Sequence, residues 1–345
     1  MAVAVRRGSE SSMKALLSKA AGGPETLVLE EVPDPVPGPG EVRIAVKACA
    51  VNFPDVLVIE DKYQFKPPRP FAPGSEIAGL IDMVGEGVTK WKVGDRVLSS
   101  TSSSGGMADS KVVAEGVPFA LPEDRSFAEG ASLLMTYGTT IHGLLDRGDA
   151  KAGETMLVLG AAGGVGISAV ELGAALGMRV VAAVSSQEKA DFCKSIGAAE
   201  TVVYPRGPLD RDQQKALSAA FKDAVGPEGA DIVYDIIGGD YADPAIRCIA
   251  WEGRYLVVGF TAGIPKLPLN LTLLKACDVR GVFWGAAVMR DPVGHARNVA
   301  KLFELWRDGK INPRITETFP LARGGEAIAR LGARAALGKI VVEIE

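Results

Sequence analysis

Residues 155–166, TMLVLGAAGGVG, carry the densest chemical signal in the chain. An apolar run ends in a glycine-rich turn, and the turn opens into an apolar helical pattern. Such a turn lets the backbone come close to a pyrophosphate, and the helix start offers N–H donors and a positive dipole end. The residues concerned are Gly160, Ala162, Gly163, Gly164, Val165 and Gly166. The match to GxGxxG is imperfect, because Ala161 stands where the first glycine would be. A glycine turn alone is also compatible with a plain tight turn, so its surroundings carry weight.

An acid about 20 positions beyond such a turn would grip the adenosine ribose hydroxyl and favour NAD. Here the chain reads Ser185-Ser186-Gln187-Glu188-Lys189, with no acid directly after the apolar run. Two hydroxyls and a lysine suit a 2′-phosphate and point to NADP(H). The plainer alternative is a helix start, with Ser185 and Glu188 as a capping box and Lys189 in solvent.

The elements around the turn repeat. A helix is predicted over 165–176 with Gly177 as its stop, and a second strand over 179–184. Further strands are predicted over 201–204, 231–235, 254–258 and 279–283, mostly with helices between them. That alternation implies an α/β fold with a doubly wound parallel sheet. Residues 13–134 have another texture. Short β-like runs at 14–17, 27–30, 41–50, 77–84 and 96–98 are punctuated by Pro and Gly, as in a mainly antiparallel barrel. Directly after the run 41–50 come Asn52 and Asp55, which are polar groups at a strand end and equally good turn formers.

Composition narrows the classes. The 345 residues hold 38 Lys and Arg against 42 Asp and Glu, with no basic block, which argues against nucleic acid or anionic membrane as partners. No apolar run reaches the length of a membrane span. Residues 1–12 lack a secretory pattern and read as a disordered extension. The four cysteines, Cys49, Cys193, Cys248 and Cys277, form no CxxC pair, and the histidines are His142 and His295 alone. This inventory argues against a zinc site. Dispersed cysteines point to reduced, buried thiols in a cytoplasmic protein.

The glycine turn, Asn52 to Asp55, Pro73-Gly74-Ser75-Glu76 and Val93-Gly94-Asp95-Arg96-Val97, in this order, resemble the medium-chain dehydrogenase/reductase superfamily. Within it the chain is similar to the zinc-free NADPH:quinone oxidoreductases, the zeta-crystallin-like branch. The resemblance covers residues 13–345. It implies a Rossmann domain over 135–284 and a GroES-like, mainly antiparallel β-barrel catalytic domain made of 13–134 and 285–345. The zinc-dependent branch has a cysteine ligand near Asn52, a Gly-His-Glu at Gly74-Ser75-Glu76, and a four-cysteine lobe that is absent here, so no metal is implied.

The resemblance also implies roles. Asn52 and Asp55 match an NxxD that faces the nicotinamide side of the cleft. Tyr63 matches a tyrosine that is a candidate proton donor in enoyl-thioester reductases, and is otherwise a packing tyrosine. Thr140 matches a threonine at the nicotinamide carboxamide, and is otherwise a helix-terminal hydroxyl. Ser185, with Ser186 beside it, Lys189, Tyr204 and Arg334 match the surroundings of the 2′-phosphate, although Arg334 also fits a solvated helix. Gly259, Phe260, Phe283 and Trp284 match strand ends near the nicotinamide. The implied activity is hydride transfer from NADPH to a quinone or an α,β-unsaturated carbonyl compound. A 2-enoyl-thioester or enal reductase is the alternative within the enzyme class. An NADPH-binding structural or redox-sensing protein with little turnover is the alternative outside it. A homodimer paired through residues 279–283 is implied as well.

Overall fold

In the computed structural model, which describes residues 11–100, 104–334 and 336–345, the chain divides into two units. One is Met1–Met135 with Arg314–Glu345, the other Thr136–Pro313. Most of the extension expected over 1–12 lies outside the described residues. Ser12 does not belong to such an extension, because it opens the first strand.

In the first unit β1 (Ser12–Leu17) and β2 (Val28–Pro33) form an antiparallel pair. A second sheet is built on β3 (Glu41–Ala50), β4 (Glu76–Val84), β5 (Arg96–Ser100), β6 (Ser110–Ala114) and β7 (Phe119–Ala120). Period-two burial makes β3 the centre, with Val42, Ile44 and Val46 all inside. Its first half pairs with β6, while all of it runs beside β4 with two register shifts. Such shifts bend a strand and let it change partners, as barrel corners require. Gly79 sits at the bend, where a Cβ would lie 2.0 Å from the Ala45 carbonyl oxygen.

The second unit holds β8 (Thr155–Leu159), β9 (Arg179–Val184), β10 (Glu200–Val203), β11 (Ala230–Asp235), β12 (Ile249–Val257) and β13 (Asp278–Gly281). All pairs are parallel, in the order β10-β9-β8-β11-β12-β13. This is the doubly wound order, and the direction of winding reverses between β8 and β11. Leu157, Val158, Val181, Ala182, Ile232 and Val233 are fully buried, as strands covered on both faces must be.

The chain then returns to the first unit as β14 (Ile315–Pro320) and β15 (Lys339–Glu343), and β15 pairs with the second half of β3. The return falls at Arg314, not at residue 285 as the sequence suggested. The reason is a buried polar tie. The Glu171 carboxylate accepts from the Tyr137 hydroxyl at 2.5 Å and from the Asn312 backbone N–H at 3.0 Å. The helix Pro292–Arg307 therefore stays with the parallel sheet, burying Val299, Leu302 and Trp306. All four cysteines are free and buried, and among the described residues no helix is long and apolar enough to cross a membrane.

The helix Gly164–Ala175 packs closely on the end of β8. A Cβ on Gly166 would lie 2.2 Å from the Gly160 carbonyl oxygen and 2.6 Å from the Ala161 carbonyl carbon. Both neighbours are backbone and cannot rotate away. Gly166→Ala is expected to cost about 1–3 kcal/mol, read as a lower melting temperature by scanning calorimetry. An unchanged melting temperature would show that the turn relaxes without loss.

Candidate nucleotide pocket and buried polar cluster

The turn after β8 is shaped by its backbone. Gly160 has φ of 77°, a region that favours glycine. The N–H groups of Gly160 and Ala161 both donate to the Ala183 carbonyl at 3.1 Å, which anchors the turn to β9. Gly163 caps the helix without a side-chain hydrogen bond. The N–H groups of Gly164, Val165 and Gly166 have no helical carbonyl one turn earlier, so they face outward as donors. That is an anion-binding helix start.

A cavity opens beside this turn. Gly160, Ala162 and Gly163 line one side, and Val184, Ser185, Lys189 and Tyr204 line the other. The Lys189 ammonium donates to Ser185 Oγ at 3.5 Å. Its pKa is lowered, first by burial and then by the nearby charge of Arg206, against the opposing pull of Glu188. The Tyr204 backbone N–H donates to the Val184 carbonyl at 2.8 Å, which sets the tyrosine at the cavity edge. Backbone donors at one end and a lysine with a hydroxyl at the other fit the phosphates of a dinucleotide.

The capping alternative applies one residue later than expected. Ser186, not Ser185, caps the helix Gln187–Ser195, accepting from the Lys189 N–H at 3.3 Å. Ser186 is thereby occupied, and Ser185 is the serine on the cavity.

Sequence reasoning missed Asp235, which organises the loops next to the turn. It is fully buried and accepts from the N–H groups of Ile237 at 3.0 Å and Gly238 at 2.8 Å, and from the Tyr255 hydroxyl at 2.6 Å. Its carbonyl accepts from Gly259 N–H at 3.2 Å, which fixes the loop that carries Phe260. The signal was present as an acid closing an apolar strand just before Ile236-Ile237-Gly238-Gly239.

The other expected nucleotide contacts have these surroundings. Thr140 is fully buried, with its hydroxyl 2.7 Å from Ser168 Oγ and 2.9 Å from the Tyr234 hydroxyl. Its hydroxyl is engaged in the interior, whereas the adjacent Thr139 is only partly buried. Trp284 is packed on Gly138, where a Cβ would lie 2.9 Å from its ring, and meets His295 edge-on at 5.7 Å. Phe283 is exposed and starts the helix Trp284–Arg290, because β13 ends at Gly281. Arg334 is exposed in the first unit, just past the helix Gly324–Gly332.

In the first unit Asn52 and Asp55 belong to a buried polar cluster at the start of the helix Phe53–Ile59. Asp55 accepts from the N–H groups of Asn52 at 2.7 Å and Gly74 at 3.0 Å. Asn52 donates to Glu76 at 3.0 Å. Lys339, from β15, donates to Asn52 Oδ1 at 2.7 Å and to Glu76 at 3.3 Å. The other Glu76 oxygen accepts from Met135 N–H at 2.8 Å. Both charges of the Lys339–Glu76 pair thus have further partners, which a buried ion pair needs. Asn52 and Asp55 are therefore enclosed and hydrogen-bonded where the sequence suggested site-facing groups; Glu76 and Lys339 complete their surroundings.

Burial pushes the Asp55 carboxyl up to about 6, against the lowering effect of its two backbone donors and Lys339. Tyr63 is half-buried against the same core, and its pKa is raised by burial and by the charge of Asp55. The structure thus brings Tyr63 into electrostatic reach of Asp55. Among the described residues no group of three or more His, Cys, Asp or Glu side chains is gathered as a metal ligand set.

Comparison with known proteins agrees with this arrangement. Residues 38–122 match the alcohol dehydrogenase GroES-like domain, and residues 164–300 match the family described as zinc-binding dehydrogenase. A quinone oxidoreductase-like protein 2 homolog from Nematostella vectensis is 37% identical over 308 residues, covering 88% of this chain and 82% of the relative. The quinone oxidoreductase-like protein 2 of Bos taurus is 35% identical, covering 92% of this chain and 89% of its own length. A mycobacterial protein solved in complex with NADPH is 29% identical, with a TM-score of 0.86 over 96% of this chain and 100% of its own. A GroES-like unit, a Rossmann unit and this degree of identity along the chain have one reading: the protein is an oxidoreductase of the medium-chain dehydrogenase/reductase superfamily and belongs to its quinone oxidoreductase branch.

Proposed function

We propose that the protein is an NADPH-dependent, zinc-independent reductase that delivers hydride to a quinone or another conjugated carbonyl compound. One observation carries the cofactor choice. At the end of β9, where an acid would grip a ribose hydroxyl, Ser185 and Lys189 line the cavity together with Tyr204. A cation and a hydroxyl there favour a phosphate. The N–H groups of Gly164, Val165 and Gly166 hold the pyrophosphate, and the loops fixed by Asp235 orient the rest of the nucleotide. Bound NADPH supplies the hydride.

The chain's own residues supply position and proton control. Tyr63 keeps its proton at neutral pH, because burial and the Asp55 charge both oppose its ionisation. A protonated hydroxyl can donate to a substrate oxygen or carbon that has gained negative charge. This observation favours a second reading, reduction of an enal or 2-enoyl thioester, whose enolate product requires a proton. A quinone demands less of a protein acid, since water can protonate the quinolate anion that hydride transfer leaves. The names of the relatives favour the quinone.

Zinc independence is supported by the chemistry at the positions that carry ligands in the zinc-dependent branch. Asn52 and Ser75 stand there, and Asn52 is engaged by Glu76 and Lys339. The four buried thiols support a reducing, cytoplasmic setting. The partner is a second copy of this chain. β13 is the last strand of its sheet, and Leu269, Leu273, Leu274 and Val279 are exposed on and near it. Open edges and contiguous apolar surface are what a partner covers.

Three outcomes test these statements. NADPH oxidation, followed by absorbance against ortho- and para-quinones and 2-enals with NADH in parallel, is expected to be fastest with quinones and NADPH. Tyr63→Phe should leave quinone turnover within a few-fold, and should slow any enal reduction by about 100-fold. Turnover of enals or enoyl thioesters alone, lost in that variant, would replace the quinone assignment with the second reading.

The Asp55 carboxyl should titrate with a midpoint near 6 by carbon NMR of labelled protein. Its folded pKa is raised, so the protonated form is the better fit to the fold. The stability it contributes is full below the unfolded value, roughly 3.9, and is lost as pH rises through 6. A midpoint below 4 would show that the two backbone donors outweigh burial.

Light scattering of the purified protein should give twice the mass of one chain, and Leu273→Glu should give one. A wild-type reading of a single chain mass would reject the dimer.

A further inference from the structure

Lys189 has a second cation for company, and the structure holds that cation's backbone in place. β10 runs past Tyr204 into Pro205, Arg206 and Gly207. The Tyr204 ring packs against the Tyr241 ring at 4.8 Å. Tyr241 is itself buried, and its hydroxyl donates to the Pro205 carbonyl at 2.8 Å with a longer contact to the Gly207 carbonyl at 3.3 Å. These two carbonyls flank Arg206. Two residues beyond Gly207, Leu209 N–H donates to the Asp240 carboxylate at 3.0 Å. The exposed segment that carries Arg206 is thus tied down through Tyr241 and Asp240.

Arg206 is exposed and makes no hydrogen bond or ion pair with another described residue. Its charge nevertheless reaches Lys189 at the cavity, where it disfavours the protonated amine. Two cations held in each other's field repel, and Glu188 offsets this only in part. An anion bound beside both would turn that cost into attraction. A guanidinium adds what an ammonium lacks, a planar fork that matches two oxygens of a phosphate.

We propose that Arg206 is a specificity-determining residue that binds the 2′-phosphate of the nucleotide together with Lys189, and that Tyr241 is the positioning residue that sets Arg206 in place. The inference rests on the NADPH reading above. It adds a group that the sequence did not single out, and a reason for a buried tyrosine two elements away.

The test is direct binding by titration calorimetry with four ligands: NADPH, NADH, 2′,5′-ADP and 5′-AMP. Arg206→Ala should weaken NADPH and 2′,5′-ADP by about tenfold, the value of one charge-assisted hydrogen bond, and leave NADH and 5′-AMP unchanged. Lys189→Ala should act in the same direction. Arg206→Lys should recover part of the loss. Tyr241→Phe keeps the ring on Tyr204 and removes only the hydroxyl. It should weaken the two 2′-phosphate ligands by about threefold without affecting NADH, a selectivity that general loosening of the fold would not produce. If the wild type prefers 2′,5′-ADP over 5′-AMP and Arg206→Ala keeps that preference in full, the inference is overturned while the NADPH reading stands. If the wild type binds 2′,5′-ADP and 5′-AMP equally, the NADPH reading fails and this inference fails with it.

Discussion

How near the helix Gly164–Ala175 may come to the end of β8 decides most of what this protein can do. A side chain at Gly166 would strike the backbone of Gly160 and Ala161. Without one, the helix start sits directly over the strand end, and its free N–H groups point to the place where the sheet's winding reverses. The same turn is fastened to β9 through the Ala183 carbonyl. Displacing the turn would therefore also disturb the strand that ends at Val184, just before Ser185 and Lys189. The proposed phosphate binding and cofactor discrimination would thus depend on one packing contact between backbones.

The first unit depends on a different constraint, a buried charge that must be satisfied. Lys339 arrives on the last strand and finds Asn52 from the end of β3 and Glu76 from the start of β4. Strand pairing between β15 and β3 brings these three together, and their hydrogen bonds in turn favour that pairing register. In a sheet, a slip of one residue would reverse the faces of the strand and leave an ammonium buried without a carboxylate. The C-terminal return is thereby specified by polar as well as apolar contacts.

The sequence was informative where the physics is local. The run 41–50 was bounded correctly as a β-like run set off by Pro and Gly, and the residues that make β8, β9 and the glycine turn were found by their apolar stretches and small residues. It was uninformative where a partner is distant along the chain. Asn52 reads as a strand-end polar residue, and nothing nearby indicates that Lys339 takes its carbonyl oxygen. Thr140 reads as an available hydroxyl until Ser168 and Tyr234 are seen to claim it. Trp284 followed a predicted strand that in fact stops at Gly281, which turned a strand-end aromatic into the first residue of a helix. The domain boundary failed for a similar reason. The tie that holds residues up to 313 in the second unit is a carboxylate at Glu171, on a helix far earlier in the chain.

The chain's cations divide by how completely their charge is answered. Lys339 is buried, with a carboxylate and an amide oxygen in hydrogen-bond range, so its charge is answered within the fold. Arg254 is similar. Its guanidinium is shared among the carbonyls of Gly148, Asp149 and Asp231 and the Glu154 carboxylate. Arg206 is the opposite case, an exposed guanidinium on a segment fixed by hydrogen bonds and with no acceptor among the described residues. Fixing a backbone costs conformational entropy, and a solvated arginine alone gains nothing from it. Lys189 is half-buried on a cavity wall, beside the Ser185 hydroxyl and in the field of both Glu188 and Arg206. Burial and the Arg206 charge lower the affinity of its amine for a proton, and Glu188 opposes them. Cations of the first kind hold the fold. Arg206, after β10, holds no part of the fold in this way, which is why a bound anion is proposed for it.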